Sequence, residues 1–508
     1  MLAKTLYPID KLINKVTMYR LLLYYLVGLI AAAMALSAAG IMHYSPVDIA
    51  VSAAILVFSC WLINKILAAI FYAPVNPESS ILTGLILALI LPSQPTGLGL
   101  LFLLAAAGLA MASKYVLSIR GKHIFNPAAI AAFLTAVGPH QSASWWVGTA
   151  AMLPFVIVGG LLVMRKIRRE PMVLTFIAVT SLTTVVLALI TSVGVGVSMK
   201  NMVLNSAAFF LGFVMLTEPY TAPDTRLKRL IYASIVGIII APQVHIGHYY
   251  ASPEAALLIG NLFAYLSSNK TKLFPVLRKK YMIAKDSAEF AFAPERKFAY
   301  AAGQYMEFTL PHDKTDSRGA RRYFTLSSSP TEPDIKIGVR FYKDGSTFKS
   351  ALADIEPGEF ITAGQLSGDF VLPKDKREKL AFIAGGIGIT PFRSMIKYLI
   401  DTKERRDIVL LYAASDPEHL AYVDLFEQAR SNLGINTIYV LSDYREGKVP
   451  SSVNGRITRQ SIQRLVPDFG ERRFYISGPL ALTENVREDL DELGVSRANI
   501  KIDFFSGY

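Results

Sequence analysis

A glycine-rich segment in the second half of the chain carries the first chemical signal. Residues 385–391 read GGIGITP, follow the apolar run 380–384 and precede a helical stretch that ends near Ile400. A strand, a glycine turn and a helix in this order place a helix N-terminus beneath the phosphates of a dinucleotide. The segment is not a full GxGxxG, so by itself it does not establish a dinucleotide site.

A second block, Arg322-Tyr323-Phe324-Thr325, lies upstream in a region of short alternating segments. A guanidinium can bind a phosphate through two parallel hydrogen bonds. The threonine hydroxyl can support an atom that accepts hydride, whereas Phe324 could instead be part of an apolar core. The alternation predicts about six short strands and one short helix starting at Ser346, arranged as a small antiparallel barrel.

The glycine segment lies in a different pattern. Apolar strands are predicted at residues 380–384, 408–413, 435–441 and 473–476, and helical stretches separate them. This alternation predicts a parallel sheet with helices on both faces. Ligands of open parallel sheets bind at the carboxyl ends of the strands.

Residues 281–508 resemble the ferredoxin–NADP reductase superfamily. The resemblance is carried by motifs that occur in a fixed order: RRYFT, GST, GDF, GGIGITP, SGP and an aromatic C-terminus. The resemblance implies FAD and a nicotinamide dinucleotide as cofactors. It implies that Arg322 pairs with an FAD phosphate, Phe324 packs beside the isoalloxazine and Thr325 bonds the flavin N5 edge. The other implied FAD positions are Tyr323, Val339, Gly345, Ser346, Thr347 and Gly368. The implied dinucleotide positions are Gly386, Gly388, Thr390, Pro391, Ser477, Gly478 and Pro479. Phe505 or Tyr508 is implied beside the flavin ring, with Thr325 and Tyr508 as the catalytic candidates.

The choice between NADH and NADPH depends on the end of one predicted strand, which reads Leu441-Ser442-Asp443. An acidic residue there would repel a 2′-phosphate and could bond a ribose hydroxyl. Arg445 is close in sequence and could reverse this preference. The sequence favours NADH and leaves NADPH open.

The first half of the chain is the source of its hydrophobicity. Overall, 52% of the 508 residues are apolar, and the excess precedes residue 270. The apolar segments predict about ten membrane spans of ~17–25 residues, or shorter where broken. The whole chain has a net charge of +13, and in its first half the positive charge clusters between these segments. By the positive-inside rule this predicts a cell-membrane protein with both termini in the cytoplasm, and no recognition motif suggests nucleic acid.

The apolar half also echoes itself. Residues 79–92 (SSILTGLILALILP) are similar in pattern to residues 206–219 (SAAFFLGFVMLTEP). The segment GKHIFNPAAI from Gly121 is likewise similar to GHYYASPEAAL from Gly247. An offset of about five spans would give the copies opposite topology, with a site near the midplane where the helices are broken. Chance similarity between apolar segments is the alternative.

Three polar residues, Asn76, Thr83 and Asn126, lie at these broken segments and could be functional or could cap helices. The motifs NPESSILTGLILALILP, GKHIFNPAAIAAF and FVMLTEPYTAP resemble the RnfD/NqrB family, the membrane protein shared by Rnf complexes and the sodium-pumping NADH:quinone reductase. The resemblance implies ten spans in two inverted repeats, a flavin between them and electron passage across the membrane. The family's SGAT-type loop, which carries covalent FMN, is missing from GPHQSASWWVGTAAMLP. A second, non-covalent flavin (riboflavin or FMN) is therefore expected near the three polar residues.

Other redox centres fit the sequence less well. The one cysteine, Cys60, allows neither an internal disulfide nor an iron–sulfur cluster. A transmembrane haem needs paired histidines within helices, whereas those before residue 270 lie at span edges or in loops. They are His43, His123, His140, His245 and His248. No metal site is expected.

The sequence thus predicts a multidomain oxidoreductase. The expected order is a basic N-terminus (1–17), a polytopic all-α membrane domain (18–268), a linker (269–280), an antiparallel FAD barrel (281–375) and an α/β nucleotide domain (376–508). Electrons would pass from NAD(P)H through FAD into the membrane domain and on to a quinone or an extracytoplasmic acceptor, with or without other electron-transfer proteins as partners. The alternatives are an NAD(P)H:quinone reductase without electron crossing, and a transporter with a fused regulatory reductase.

Overall fold

The structure is a computed structural model that describes residues 13, 16–71, 77–119, 122–138, 141–246, 249–267, 272–312, 315–316, 319–342, 345–443 and 449–503. The chain divides into two compact units, Met1–Thr271 and Lys272–Gly507. The division falls where the apolar half of the sequence ends.

Helices dominate the first unit. Its helices are α1 (Met18–Ala38), α2 (Pro46–Ile70), α3 (Pro77–Ile90), α4 (Gly97–Val116), α5 (Pro127–Val137), α6 (Leu153–Ile167), α7 (Glu170–Ile190), α8 (Val195–Leu204), α9 (Ala208–Met215), α10 (Arg226–Ile239) and α11 (Pro253–Ser267). Local sequence explains several of the starts. The Ser45 hydroxyl caps α2 and Asn126 caps α5, and a proline follows each at the first helical position, where its missing N–H is harmless.

The internal echo of the sequence has a structural counterpart. A two-stranded hairpin, β1 (Ser118–Ile119) with β2 (Lys122–His123), precedes α5. A second hairpin, β3 (His245–Ile246) with β4 (Tyr249–Tyr250), precedes α11. The same order of hairpin and short helix in both halves supports an internal repeat.

Four helices of the described residues are long and apolar enough to cross a membrane, or up to five if the bent pair α8–α9 counts as one span. The 14-residue helix α3 rises only about 21 Å, short of a hydrocarbon core of about 30 Å. Membrane association is therefore supported, whereas the ten spans and their topology stay a prediction.

The second unit begins with two three-stranded antiparallel sheets. One has the order β5 (Val276–Ala284), β6 (Ser287–Ala293), β9 (Ile335–Arg340). The other has the order β10 (Thr362–Ser367), β7 (Tyr305–Thr309), β8 (Arg321–Thr325). The six strands and the helix α12 (Thr347–Asp354), capped by Ser346, agree with the sequence. Closure into a barrel is not shown, so "the barrel" here means these two sheets together. The strand β5 begins inside the segment predicted as a linker.

A six-stranded parallel sheet follows, with helices between its strands. Its spatial order is β14 (Ser452–Asn454), β13 (Asn436–Leu441), β12 (Ile408–Ala414), β11 (Leu380–Gly385), β15 (Arg473–Ser477), β16 (Ile500–Ile502). Its helices include α13 (Thr390–Thr402), α14 (Val423–Leu433), α15 (Arg459–Leu465) and α16 (Leu480–Glu492). The chain starts in the middle at β11, runs outward to β14 and returns to β15. The strand order therefore reverses between β11 and β15, which is where such sheets bind ligands.

Candidate functional site

Two loops leave the sheet side by side at the point where the strand order reverses. Ala384 of β11 pairs with Ser477 of β15, so the turn after Gly385 lies against the turn after Ser477. A Cβ on Gly388 would lie 2.6 Å from the Cα and N of Gly478. Only glycine permits this backbone contact, and Gly386 adopts a left-handed φ of 52°. The structure thus brings the predicted dinucleotide positions of both loops together.

The first of these loops leads directly into α13. Pro391 occupies the first turn of the helix, and no side chain caps its N-terminus in the described structure. Backbone N–H groups at such a helix start, together with the helix dipole, favour an anionic group. Thr390 is bonded locally, because its Oγ1 donates to the Ile387 carbonyl at 3.2 Å. The loop is therefore suited to a pyrophosphate.

On the barrel, Thr325 ends β8. Its Oγ1 is buried and has no hydrogen-bond partner within the described part of the chain. A buried hydroxyl without a partner costs about 1–3 kcal/mol, so an orphaned group of this kind indicates a missing ligand atom. This is the position that the sequence assigns to the flavin N5 edge, and the residue present fits that group.

Arg322 lies three residues earlier in the same strand and reaches the start of α12. Its guanidinium lies over the Phe348 ring, with Cζ 5.4 Å from the ring centroid. The Asp316 carboxylate accepts a hydrogen bond from the Thr347 N–H at 3.1 Å and lies 3.9 Å from Arg322 Nη2. A carboxylate at this place has the charge that a cofactor phosphate would have. Two of the predicted phosphate residues, Arg322 and Thr347, are thus brought together around an anion, and Ser346 caps the same helix by accepting from the Lys349 N–H at 3.3 Å.

The aromatic member of the block faces the barrel core. The Phe324 ring lies 5.9 Å from that of Phe308 and 6.0 Å from that of Phe348. In this structure Phe324 therefore lies in the apolar core, which was the alternative interpretation of this residue. Its contact with an isoalloxazine stays a prediction. Val339 is likewise buried in this core. Tyr323 makes an edge contact with Tyr305, whose ring would also meet a Cβ on Gly368 at 3.1 Å.

The barrel and the glycine loop touch each other. A Cβ on Gly338 of β9 would lie 2.8 Å from Thr390 Cγ2 and 3.3 Å from Ile387 Cδ1. This tight contact therefore joins β9, the strand of the predicted FAD position Val339, to the predicted dinucleotide position Thr390. Of the other candidates in this unit, Gly345 and Pro479 lie at the starts of α12 and α16. Phe505 and Tyr508 lie outside the described residues.

In the first unit, Asn126 is fully engaged. Its Oδ1 accepts from the N–H groups of Ala128 and Ala129 at 3.0 and 3.1 Å, and its Nδ2 donates to Glu218 Oε2 at 2.7 Å. Its backbone N–H donates to Asn261 Oδ1 at 2.8 Å. Asn126 thus caps α5 and bonds two residues of the later part of the same unit, Glu218 and Asn261. The Thr83 Oγ1 donates to its own helix at the Ser79 carbonyl, 2.8 Å away, and Asn76 lies outside the described residues.

Sequence reasoning missed two buried polar residues of α11. Asn261 bridges Asn126 and Tyr232 from α11, and Glu254 accepts from Trp145 Nε1 at 3.0 Å. Both are polar residues within an apolar helical segment, which is the signal that could have identified them.

Comparisons with known proteins concern the second unit. Residues 382–488 match a family described as "Oxidoreductase NAD-binding domain". A flavohemoprotein of Rhodopirellula baltica is 28% identical over 254 residues, 47% of this chain and 61% of the relative. A flavohemoprotein of Bacillus subtilis is 26% identical over 236 residues, 45% of this chain and 58% of the relative. The chain thus spans about three fifths of these relatives.

Solved structures with a similar arrangement include a flavohemoglobin from Malassezia yamatoensis with bound FAD and heme. It has 19% identity and a TM-score of 0.43, and covers 63% of this chain and 78% of its own. A ferredoxin NADP+ reductase from Neisseria gonorrhoeae with bound FAD and NADP has 16% identity and a TM-score of 0.39, and covers 47% and 99%. The predicted likeness of the C-terminal half to FAD- and NAD-binding reductases is confirmed. The N-terminal resemblance stays a prediction.

Proposed function

We propose that this chain is a membrane-bound flavoprotein oxidoreductase that takes electrons from NAD(P)H through FAD. The observation that carries the proposal is the meeting of three elements: the loop after β11, the loop after β15, and the barrel strands that contain Thr325 and Gly338. The first two suit a dinucleotide, and the third presents an orphaned buried hydroxyl. The family match over residues 382–488 supports the dinucleotide side.

Bound FAD would supply a ring that accepts the two electrons and the hydrogen of a hydride from NAD(P)H and releases the electrons singly. The chain's own residues do the positioning. Arg322 and the start of α12 hold the cofactor phosphates. Thr325 Oγ1 hydrogen-bonds the edge of the ring, and the loop through Gly386, Gly388 and Thr390 holds the dinucleotide against it.

The preferred donor is NADH. Asp443 follows the end of β13, and its N–H donates to the Ser415 carbonyl at 2.7 Å. Asp443 thus lies at the carboxyl edge of the sheet, where an acidic side chain would repel a 2′-phosphate and accept from a ribose hydroxyl.

From FAD, the electrons would enter the membrane unit and cross it through a second, non-covalent flavin to a quinone or an extracytoplasmic acceptor. The repeated hairpin–helix unit, with its polar cluster of Asn126, Glu218 and Asn261, supports a site between the two repeats. Both termini would then face the cytoplasm, where NAD(P)H is available.

One observation favours a second candidate, an NAD(P)H:quinone reductase without electron crossing. The amide of Asn126 is used by its helix cap and by Glu218, so it offers a second flavin less than the sequence suggests. In this candidate the membrane unit would hold only the quinone.

Counting flavins tests the proposal. The purified full-length protein in detergent should bleach its flavin when NADH is added without oxygen, and should contain two flavins per chain, with none covalently attached on a denaturing gel. One flavin per chain with intact quinone reduction would select the second candidate. A protein that binds no flavin, or whose flavin NADH does not reduce, would contradict both.

A further inference from the structure

Glu289, on β6 of the reductase unit, is a buried carboxylate to which the proposed chemistry gives no role. Its exposed fraction is 0%. Its Oε1 accepts from Ser327 Oγ at 2.9 Å and from the Tyr422 hydroxyl at 2.6 Å, and its Oε2 accepts from the Tyr281 hydroxyl. Burying a carboxylate is expensive unless it is hydrogen-bonded, and three hydroxyl donors meet that need.

The three donors come from two different parts of the unit. Ser327 and Tyr281 belong to the barrel, as does Glu289 itself. Tyr422 comes from the nucleotide domain, at the start of α14. The bond between Tyr422 and Glu289 therefore crosses from one domain to the other, between residues 133 positions apart.

Tyr422 is held in a strained conformation. Its φ is 61°, in the left-handed region that costs a residue other than glycine about 1–2 kcal/mol. Such strain persists only where the surroundings fix it. The preceding residues supply further cross-domain contacts: the Glu418 carbonyl accepts from the Lys285 N–H at 2.9 Å, and His419 Nε2 lies 3.1 Å from Asp286 Oδ2. The loop thus binds the turn between β5 and β6 through these contacts.

The contacts of residues 418–422 with the barrel form one seam between the two domains. A second seam joins α13 to the barrel. Arg393 Nη1 donates to the Ser327 carbonyl at 2.9 Å, and Ser394 Oγ donates to the Ser328 carbonyl at 2.6 Å. The Arg393 guanidinium also lies over the Tyr422 ring, 5.6 Å from its centroid. Glu289 therefore reaches both seams, one through Ser327 and the other through Tyr422.

This network lies directly beneath the dinucleotide loop. Arg393 is three residues beyond Thr390, on the helix that the loop begins. Gly338, the register partner of Glu289, is the residue whose Cβ would lie 2.8 Å from Thr390 Cγ2 and 3.0 Å from the Tyr422 hydroxyl. A shift of Tyr422 would therefore shift the contact between barrel and loop.

We infer that Glu289 is a positioning residue that, through Tyr422 and Ser327, fixes the nucleotide domain on the barrel and thereby holds the donor loop in line with Thr325. The inference rests on the proposed function, since it concerns the geometry of the same hydride transfer. The hydride, with its two electrons, passes from NAD(P)H to FAD and leaves NAD(P)+, while Glu289 neither gains nor loses a bond. Misalignment of about 1 Å at such a site is enough to slow transfer markedly.

Tyr422→Phe removes the cross-domain bond and keeps the ring. In the full-length protein, the rate of flavin reduction at saturating NADH should fall roughly tenfold, the equivalent of one hydrogen bond, while flavin content is unchanged. Hydrogen exchange should rise in residues 281–289 and 416–422, and the long-wavelength charge-transfer band formed with NAD+ should weaken. These readouts distinguish positioning from a general loss of stability.

Tyr439→Phe is the matched control. It removes a phenol–carboxylate bond of 3.1 Å to Glu427, which joins β13 to α14 within the nucleotide domain and does not reach the barrel. It should leave the reduction rate and the exchange at the seams unchanged. If Tyr422→Phe cannot be purified, His419→Gln weakens the same loop from a half-buried position and should slow reduction less but in the same direction.

The outcomes separate the inference from the proposed function. Wild-type flavin that NADH does not reduce overturns the proposed function. Wild-type reduction together with a Tyr422→Phe rate equal to that of Tyr439→Phe overturns the positioning role, as does an unchanged rate in His419→Gln where that variant is the one available.

Discussion

The carboxyl group of Glu332 makes the stability of the reductase unit depend on pH. Burial raises the pKa of its carboxyl, but hydrogen bonds from Arg393, Lys336 and the Ser329 N–H, with the Arg393 charge, outweigh this and lower it to about 2. Lys336 Nζ lies 2.7 Å from Oε1, and the Arg393 guanidinium contacts both carboxylate oxygens. The ion pair joins α13 to the barrel.

A carboxyl whose folded-state pKa is depressed stabilises the fold above its unfolded pKa and loses that contribution as the pH falls. A change from 4.5 to about 2 corresponds to on the order of 3 kcal/mol, fully present above about pH 5 and lost progressively toward about pH 2. Between about pH 6 and pH 3, the melting temperature of Glu332→Gln should therefore fall less than that of the wild type. The measurement is thermal unfolding followed by the release of flavin fluorescence. Asp375→Asn, which changes an exposed partner of Arg377, should keep the wild-type pH dependence. Equal pH dependence in Glu332→Gln and the wild type would contradict this role.

At the residue scale, the sequence identified the types that do chemistry but not their surroundings. Thr325 and Arg322 were found because a motif orders them along the chain; both are buried in the structure, and their roles toward FAD stay predictions. Phe324 is the aromatic residue that the motif places beside the flavin ring, but in the structure its ring packs in the apolar core. Glu289 could not be found, because its cross-domain partner Tyr422 is 133 residues away and no local pattern joins them.

At the scale of elements, the turn between β11 and α13 depends on the absence of side chains. Gly388→Ala would place a Cβ 2.6 Å from the Gly478 backbone, which cannot yield as a flexible side chain does. Overpacking of this kind costs about 1–3 kcal/mol. The loop should shift, so that NADH reduces the flavin at least roughly tenfold more slowly while the barrel keeps its FAD.

The measurement is the anaerobic reduction rate over a range of NADH concentrations, together with flavin content. Gly470→Ala is the control, because a Cβ there meets nothing within 4 Å and its φ is not left-handed. A Gly388→Ala protein that behaves like Gly470→Ala would show that the close contact has no role in donor binding.

Periodicity predicted most elements but not their lengths. The alternating segments gave six barrel strands, and the helix start at Ser346 agrees with its cap. In the membrane unit the echo of GKHIFNPAAI and GHYYASPEAAL was visible, but the hairpins in front of α5 and α11 were not, because two-residue strands leave no periodic signal. The π-helical turn within α9, Leu211–Met215, was likewise beyond prediction from propensity.

At the scale of the whole molecule, the proposed function predicts a direction of electron flow. In proteoliposomes with an impermeant oxidant such as ferricyanide trapped inside, NADH added outside should reduce the internal oxidant. The reductase units that face outward should act, and a Gly388→Ala protein should be correspondingly slow. Reduction of lipid-soluble quinone without loss of the trapped oxidant would instead select the reductase that does not cross the membrane.

The composition of the chain changes sharply near residue 270, and the structure divides into two compact units between Thr271 and Lys272. The sequence could not fix the number of spans. Length and apolarity identify α1, α2, α4 and α7, whereas short helices such as α3 and α5 look the same whether they cross a bilayer or end within it.

The backbone contact between Gly388 and Gly478 has a consequence for engineering and for divergence. Two turns separated by 90 positions in the sequence share one surface with no room for a side chain on either. Neither turn can be lengthened or exchanged alone without displacing its neighbour. A chimaera that imports the donor specificity of another reductase will therefore have to transplant the two turns as a pair.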